Sequence, residues 1–306
     1  MLTIGSRGSA LALWQANWVR ERLEALGETC RIRIIKTTGD KITGVPLAQV
    51  GGKGLFTKEI EDALLGGRID LAVHSLKDLP TELPAGLTIA AVPEREDARD
   101  AVVGRPLKDL ASGAKVGTSS LRRTAQLRAA RPDLVVEPVR GNLDTRLRKL
   151  AAGQYDALVL AAAGLLRLGW QDRIAECLSL EVMCPAVGQG ALAVETRATG
   201  GARRVCRKLD HAETRAAVEA ERALLARLGG GCQVPIGAHG RVRGGALDLM
   251  AVVASPDGSR IIRRSLTGPV AEARRVGREL GGLLLNSGGR EILKQVYGAA
   301  PGAPKI

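Results

Sequence analysis

Val116-Gly117-Thr118-Ser119-Ser120-Leu121-Arg122-Arg123-Thr124-Ala125 passes from a strand into a helix with only a cap between them. Val116 and Gly117 close a short apolar run. Thr118-Ser119-Ser120 then offers side-chain oxygens to the unpaired N–H groups of a helix start. Pro132, just beyond Arg131, stops that helix. A strand feeding a helix N-terminus in this way is the opening of a β-α-β unit, and it decides the fold class: α/β.

The pattern continues on both sides of this stretch. Downstream come a strand at Leu134–Val136, a helix over Asn142–Ala152 and a strongly apolar strand at Asp156–Leu160. Upstream, Ser9 caps a helix through Leu11, Trp14, Trp18, Leu23 and Leu26 that Gly27 ends. Arg31–Ile35 alternates as a strand. A helix carries Phe56, Ile60, Ala63 and Leu64, and strands follow at Ile69–Val73 and Leu87–Val92. Strands separated by helices of this length predict parallel sheets, with ligands beyond the carboxyl ends of the strands. The charged run Glu94-Arg95-Glu96-Asp97-Ala98-Arg99-Asp100 interrupts the alternation and reads as a linker or hinge. The last third has a different pattern. A helix over Glu213–Leu228 precedes strands at Ile236–Val242, Leu247–Val253 and Ile261–Leu266. Pro256-Asp257-Gly258 marks a hairpin turn, and helices over Val270–Leu285 and Arg290–Val296 follow. That combination predicts a smaller α+β domain.

A length of 306 residues exceeds what one hydrophobic core usually spans. No apolar run is long enough for a membrane span, and the N-terminus opens on strand-like Leu2–Ile4 with no targeting pattern, so a cytoplasmic protein without a membrane partner is expected. The five cysteines match no zinc spacing and are expected as reduced thiols, and no metal is expected. The net charge of +13 implies an anionic partner. Nucleic acid is not expected, because recognition motifs are lacking and aromatics for base stacking amount to 2% of the chain.

Five stretches hold the candidate chemistry. Val73-His74-Ser75-Leu76-Lys77-Asp78-Leu79-Pro80 sets an ammonium and a carboxylate side by side at a strand end, or is a polar loop over a core histidine. Gly117–Arg123 combines hydroxyls and two guanidiniums at a helix N-terminus, which favours anions. Arg140-Gly141-Asn142-Leu143-Asp144-Thr145-Arg146 repeats that theme. Gly51-Gly52-Lys53-Gly54 fails the P-loop pattern, since Gly54 stands where Ser or Thr is needed, and reads as a mobile loop. Gly229-Gly230-Gly231-Cys232-Gln233-Val234-Pro235 exposes a thiol in a glycine turn, or buries a small residue there. A ligand-binding protein, a nucleic-acid binder and a thiol enzyme all remain open at this point.

Several of these strings together resemble the porphobilinogen deaminase (hydroxymethylbilane synthase) family. They are Gly5–Gln15, Val50–Phe56, His74–Pro80, Gly117–Arg123, Arg140–Asn142, Pro185-Ala186-Val187-Gly188-Gln189-Gly190, and Glu221-Arg222 through Gly230–Pro235. The resemblance extends to about Tyr297. It implies a transferase of porphyrin and haem biosynthesis that condenses four porphobilinogen molecules head to tail, releasing ammonia, on a dipyrromethane primer held by thioether to Cys232. It implies Asp78 as the catalytic carboxylate. Lys77, Asp78, Ser120, Arg122 and Arg123 would bind the cofactor, and Arg7, Ser9, Arg140, Arg146, Arg167 and Gln189 the substrate. Lys53 and Phe56 would belong to a mobile loop over the site. The resemblance further implies two periplasmic-binding-protein-like α/β domains, residues 1–95 with 189–209 and residues 98–187. A smaller α+β domain, 213–306, would carry the cofactor cysteine, and the enzyme would act as a monomer.

Overall fold

The fold is that of a computed structural model, which describes residues 1–41, 54–230 and 234–298. The chain divides into two compact units, residues 1–96 with 190–215, and residues 97–189 with 216–306.

The first unit is built on a five-stranded sheet. β1 (Leu2–Ser6) lies between β2 (Cys30–Ile34) and β3 (Leu71–Ser75), parallel to both. β4 (Leu87–Ala91) forms the far edge, and β10 (Leu192–Arg197) runs antiparallel between β3 and β4. The central strands are buried as continuous apolar runs, Leu71-Ala72-Val73 being the clearest, whereas edge strand β2 shows alternating exposure. Helix α1 (Ala10–Ala25) starts where Ser9 Oγ accepts from the Ala12 N–H, and its Ala16, Val19 and Leu23 pack with Ile4, Leu71 and Val194. Helices α2 (Lys58–Leu65) and α6 (Gly201–Cys206) complete the unit.

The second unit repeats the plan. β5 (Asp100–Gly104), β6 (Lys115–Gly117), β7 (Val135–Glu137), β8 (Ala157–Ala161) and β9 (Ile174–Cys177) stand in the order β7-β6-β8-β5-β9. β6 is parallel to both β7 and β8, and β5 is antiparallel to its neighbours β8 and β9. Position for position this matches β2-β1-β3-β10-β4. Helices α3 (Leu121–Ala130), α4 (Leu143–Ala151) and α5 (Ala162–Arg167) connect the strands. Ser120 and Asn142 cap α3 and α4 through side-chain oxygens that accept from Arg123 N and Thr145 N.

The expectation of parallel sheets holds for β1 with β2 and β3 and for β6 with β7 and β8, but not for the remaining pairs. β5 and β10, which lie just after the chain enters and re-enters a unit, are antiparallel, and neither they nor β9 stand out in the sequence. Both begin or include an acid, Asp100 and Glu195, that breaks the apolar pattern yet is fully buried. The charged run at Glu94–Asp100 is therefore not linker to its end, since Asp100 opens β5.

The last part of the second unit is an antiparallel sheet, β11 (Ile236–Arg243), β12 (Ala246–Ala254) and β13 (Ile261–Pro269), covered by α7 (Ala212–Arg227), α8 (Ala273–Leu284) and α9 (Arg290–Tyr297). Its core joins Leu224 and Leu228, Leu247 and Leu249, and Leu280, Leu284 and Ile292. A Cβ at Gly277 would lie 2.1 Å from the Ala220 carbonyl oxygen, so only glycine lets α8 approach α7 this closely. This subdomain is tied to its own unit by Arg263, which donates to the Leu180 and Glu181 carbonyls, and by buried Glu221, which accepts from Gly188 N and Gly240 N.

Candidate active site

In the first unit, the carboxyl ends of β1 and β3 open onto one pocket. Its lining includes Arg7, Ser9, Gln15, Phe56, Thr57, His74, Ser75 and Asp78. Arg7 follows β1 directly. Asp78 ends a single 3-10 turn, Leu76–Asp78, that follows β3 without a break, and its side chain is exposed. The turn is held at its start by Leu76 N donating to the Ala191 carbonyl. Gln15, buried on α1, donates to Ser75 Oγ at 2.9 Å. His74 is buried, its Nε2 3.0 Å from Glu195 Oε2. His74 is thus hydrogen-bonded in the core and also lines the pocket. Glu61, on α2, faces the same pair. Its burial first, then the Glu195 carboxylate, raise its pKa above the usual carboxylate range.

The Arg7 guanidinium is held on an edge and a face. Its Nε lies 3.1 Å from Asp40 Oδ1, and its Nη2 donates to the same carboxylate. The Phe56 ring lies 4.2 Å below its central carbon. Phe56, the sole phenylalanine, rests in turn on Gly39, where a Cβ would be 2.2 Å from the ring. Asp40 also accepts from Thr37 N at 3.2 Å and Thr37 Oγ1 at 2.8 Å. Burial works to raise the Asp40 pKa, but the hydrogen bonds from Arg7 and Thr37 outweigh it and hold the carboxyl below its ordinary value.

In the second unit, Arg122 and Arg123 at the start of α3 converge on Asp100. Arg122 Nη1 donates to Asp100 Oδ2 at 2.7 Å and to the Cys184 carbonyl at 2.7 Å. Arg123 Nε donates to Asp100 Oδ1 at 2.8 Å, and its Nη1 to the Val159 carbonyl at 3.0 Å. Gln189 Nε2 donates to Asp100 Oδ1 at 2.9 Å and to the Ala98 carbonyl at 2.7 Å. Burial works against the Asp100 charge, but the two guanidiniums more than reverse that and hold its pKa well below the carboxylate range. Two guanidiniums against one carboxylate leave a net charge of +1 in this cluster.

The expected site residues thus fall into separate groups. Arg7, Ser9, Phe56 and Asp78 line one pocket, with half-buried Lys77 beside Asp78 on the same turn. Arg122, Arg123 and Gln189 share Asp100. Ser120 spends its oxygen on the α3 cap. Arg146 Nε donates to the Gly141 carbonyl at the foot of α4, Arg140 is half-buried just before that turn, and Arg167 is buried at the end of α5. Gln189, expected at the substrate, is fully buried and presents no accessible surface in this conformation, its amide being committed to Ala98 and Asp100. Lys53 and Cys232 lie outside the described residues. Burial pushes the Cys184 and Cys206 thiols up to about 12, and burial also raises those of Cys30 and Cys177. Among the described residues no group of His, Cys, Asp and Glu is arranged to hold a metal ion, and no helix is long and apolar enough to cross a membrane.

Sequence reading missed Asp40, Asp100 and Glu195. Only Asp100 had a local signal, its place at the end of a charged run that leads straight into Ala101-Val102-Val103.

Residues 2–204 match the family described as "Porphobilinogen deaminase, dipyromethane cofactor binding domain", and residues 215–286 match "Porphobilinogen deaminase, C-terminal domain". The chain is 52% identical over 305 residues to the porphobilinogen deaminase of Syntrophobacter fumaroxidans, covering 98% of this chain and 99% of that one. It is 54% identical over 301 residues to that of Pelobacter propionicus, covering 97% of each. Among solved structures, a periplasmic substrate-binding protein of an ABC transporter from Coxiella burnetii aligns with a TM-score of 0.43 at 12% identity, covering 68% of this chain and 91% of that one.

Proposed function

The chain belongs to the porphobilinogen deaminase family, and from that premise we propose how its residues divide the work. The enzyme is a transferase of tetrapyrrole biosynthesis that forms hydroxymethylbilane from porphobilinogen, with a dipyrromethane cofactor. The cofactor supplies the chain end to which pyrrole units are added. Its carboxylates suit the donor set of this chain, above all the Asp100 cluster, whose surplus positive charge is fixed in place by burial. Lys77, Ser120, Arg122, Arg123 and Asp78 hold it in this reading, and Cys232 bonds it covalently. Burial raises the pKa values of Cys30, Cys177, Cys184 and Cys206, which disfavours their nucleophilic thiolate forms, and Cys232 is assigned from the family resemblance.

The observation that carries the reading is the pairing of Arg7 and Asp78 on one pocket wall. Porphobilinogen brings two carboxylates, which guanidiniums bind through paired hydrogen bonds, so Arg7, with Ser9, binds and orients it. Arg140, Arg146, Arg167 and Gln189 are assigned to the same substrate, Gln189 by holding Asp100 and the Ala98 segment. Loss of ammonia leaves a positive charge shared with the pyrrole nitrogen. The Asp78 carboxylate stabilises that charge as it forms, while the substrate's amine, protonated as an ammonium, departs as ammonia. Phe56 backs Arg7.

Asp78→Asn is expected to lower kcat at least ~100-fold, the scale of losing one charged contact to a developing charge, with little change in thermal midpoint because the side chain is exposed. Turnover within a few-fold of the parent would remove Asp78 from the mechanism. The mass of the intact protein beside Cys232→Ser tests the attachment point, the expected difference being two linked pyrrole units present only in the parent. We also assign three domains, one to each sheet, and a cytoplasmic monomer. A dimer in light scattering would overturn the last point.

A further inference from the structure

Arg7 does not wait in its pocket without a carboxylate. Asp40 engages it in a two-point contact, from Nε and from Nη2, which is how a guanidinium receives a ligand carboxylate. Both side chains keep contact with solvent, 26% for Arg7 and 29% for Asp40, so the contact can be exchanged. The other face of Arg7 lies on Phe56, a contact that survives such an exchange. Asp40 has a second anchorage in Thr37 N and Oγ1, so releasing Arg7 does not strand its carboxylate.

We propose that Asp40 is an internal stand-in for a substrate carboxylate, occupying the fork of Arg7 until a porphobilinogen carboxylate takes its place, and that this competition sets substrate affinity. The proposal rests on the reading of Arg7 as a substrate ligand. Asp40 keeps the guanidinium extended and oriented in the pocket, and substrate gains only the difference between its own contact and the one it displaces.

Asp40→Asn removes the charge while its amide oxygen can still accept from Thr37. KM for porphobilinogen should fall about 2- to 5-fold, the range set by an exposed ion pair, while kcat changes less. Asp40→Ser, which also removes the charge, should move KM in the same direction, so a folding defect peculiar to one variant does not decide the matter. In the double variant with Arg7→Gln the gain should vanish, since no guanidinium is left to release. If Arg7→Gln raises KM but neither Asp40 variant lowers it, the stand-in role is wrong and the reading of Arg7 stands. If Arg7→Gln leaves KM unchanged, the reading of Arg7 fails and the stand-in role with it.

Discussion

Two of the arginine–aspartate contacts in this molecule differ in stoichiometry and burial. Arg7 and Asp40 are one cation and one anion, roughly a quarter exposed, at the mouth of a pocket. Arg122 and Arg123 are two cations on one anion, with side chains 4% and 8% exposed against an Asp100 that is fully buried. In the first, water screens the charges and either partner can be exchanged at little cost. In the second, desolvation is offset by hydrogen bonds to Asp100 from both guanidiniums and Gln189, and from the guanidiniums to the main-chain carbonyls of Cys184 and Val159. The chemistry of the two pairs is the same, but the setting makes one a place for ligand exchange and the other a fixed block of positive charge.

The sharpest way to break this comparison is Asp100→Asn. It leaves two buried guanidiniums facing each other and should destabilise the protein by about 3–5 kcal/mol, a fall in thermal midpoint of roughly 10 °C. A change as small as that expected of an exposed pair would mean that the burial is not maintained in solution. The acid limb of stability gives the next largest effect. Because the folded-state pKa of Asp100 is depressed, its contribution is complete above the unfolded value near pH 4 and is lost as pH falls below it. Urea titrations at descending pH should show a shallower acid dependence in Asp100→Asn than in the parent. Ser120→Ala removes the cap of the helix that carries both arginines and should cost about 1 kcal/mol in the same titration. The smallest effect belongs to the exposed pair. The coupling of Arg7 and Asp40 in a double-mutant cycle on stability should stay below about 1 kcal/mol and shrink as salt rises. A coupling as large as that of the Asp100 cluster would erase the distinction.

The two antiparallel strands show where sequence reading stopped. β5 and β10 each contain an acid that makes them look like surface, and each acid is buried against a cation or imidazole supplied from elsewhere in its unit. Arg122 is 22 residues from Asp100, and His74 is 121 residues from Glu195. No local window contains both partners, so neither strand stands out in the sequence and the sheets read as parallel. The parallel strands are different. Leu71–Val73 and Ala157–Leu160 are buried on both faces and advertise it through unbroken apolar runs. The candidate pocket was half legible on the same grounds. Arg7 and Asp78 sit at strand ends that periodicity locates, whereas nothing in the sequence around Asp40 marks it as the partner of Arg7.

By itself the sequence determined the α/β alternation, the capped helices begun by Ser9, Ser120 and Asn142, the α+β character of the last third, and the strings shared with the family. These depend on backbone geometry and burial within a few residues, which a local stretch of chain encodes. Tertiary structure alone decided that two strands reverse direction, that Arg122 and Arg123 are buried on Asp100, and that Arg7 is held by Asp40 and Phe56. A charge can be buried only where its partner arrives, and the partner is delivered by the folding of distant segments onto one another.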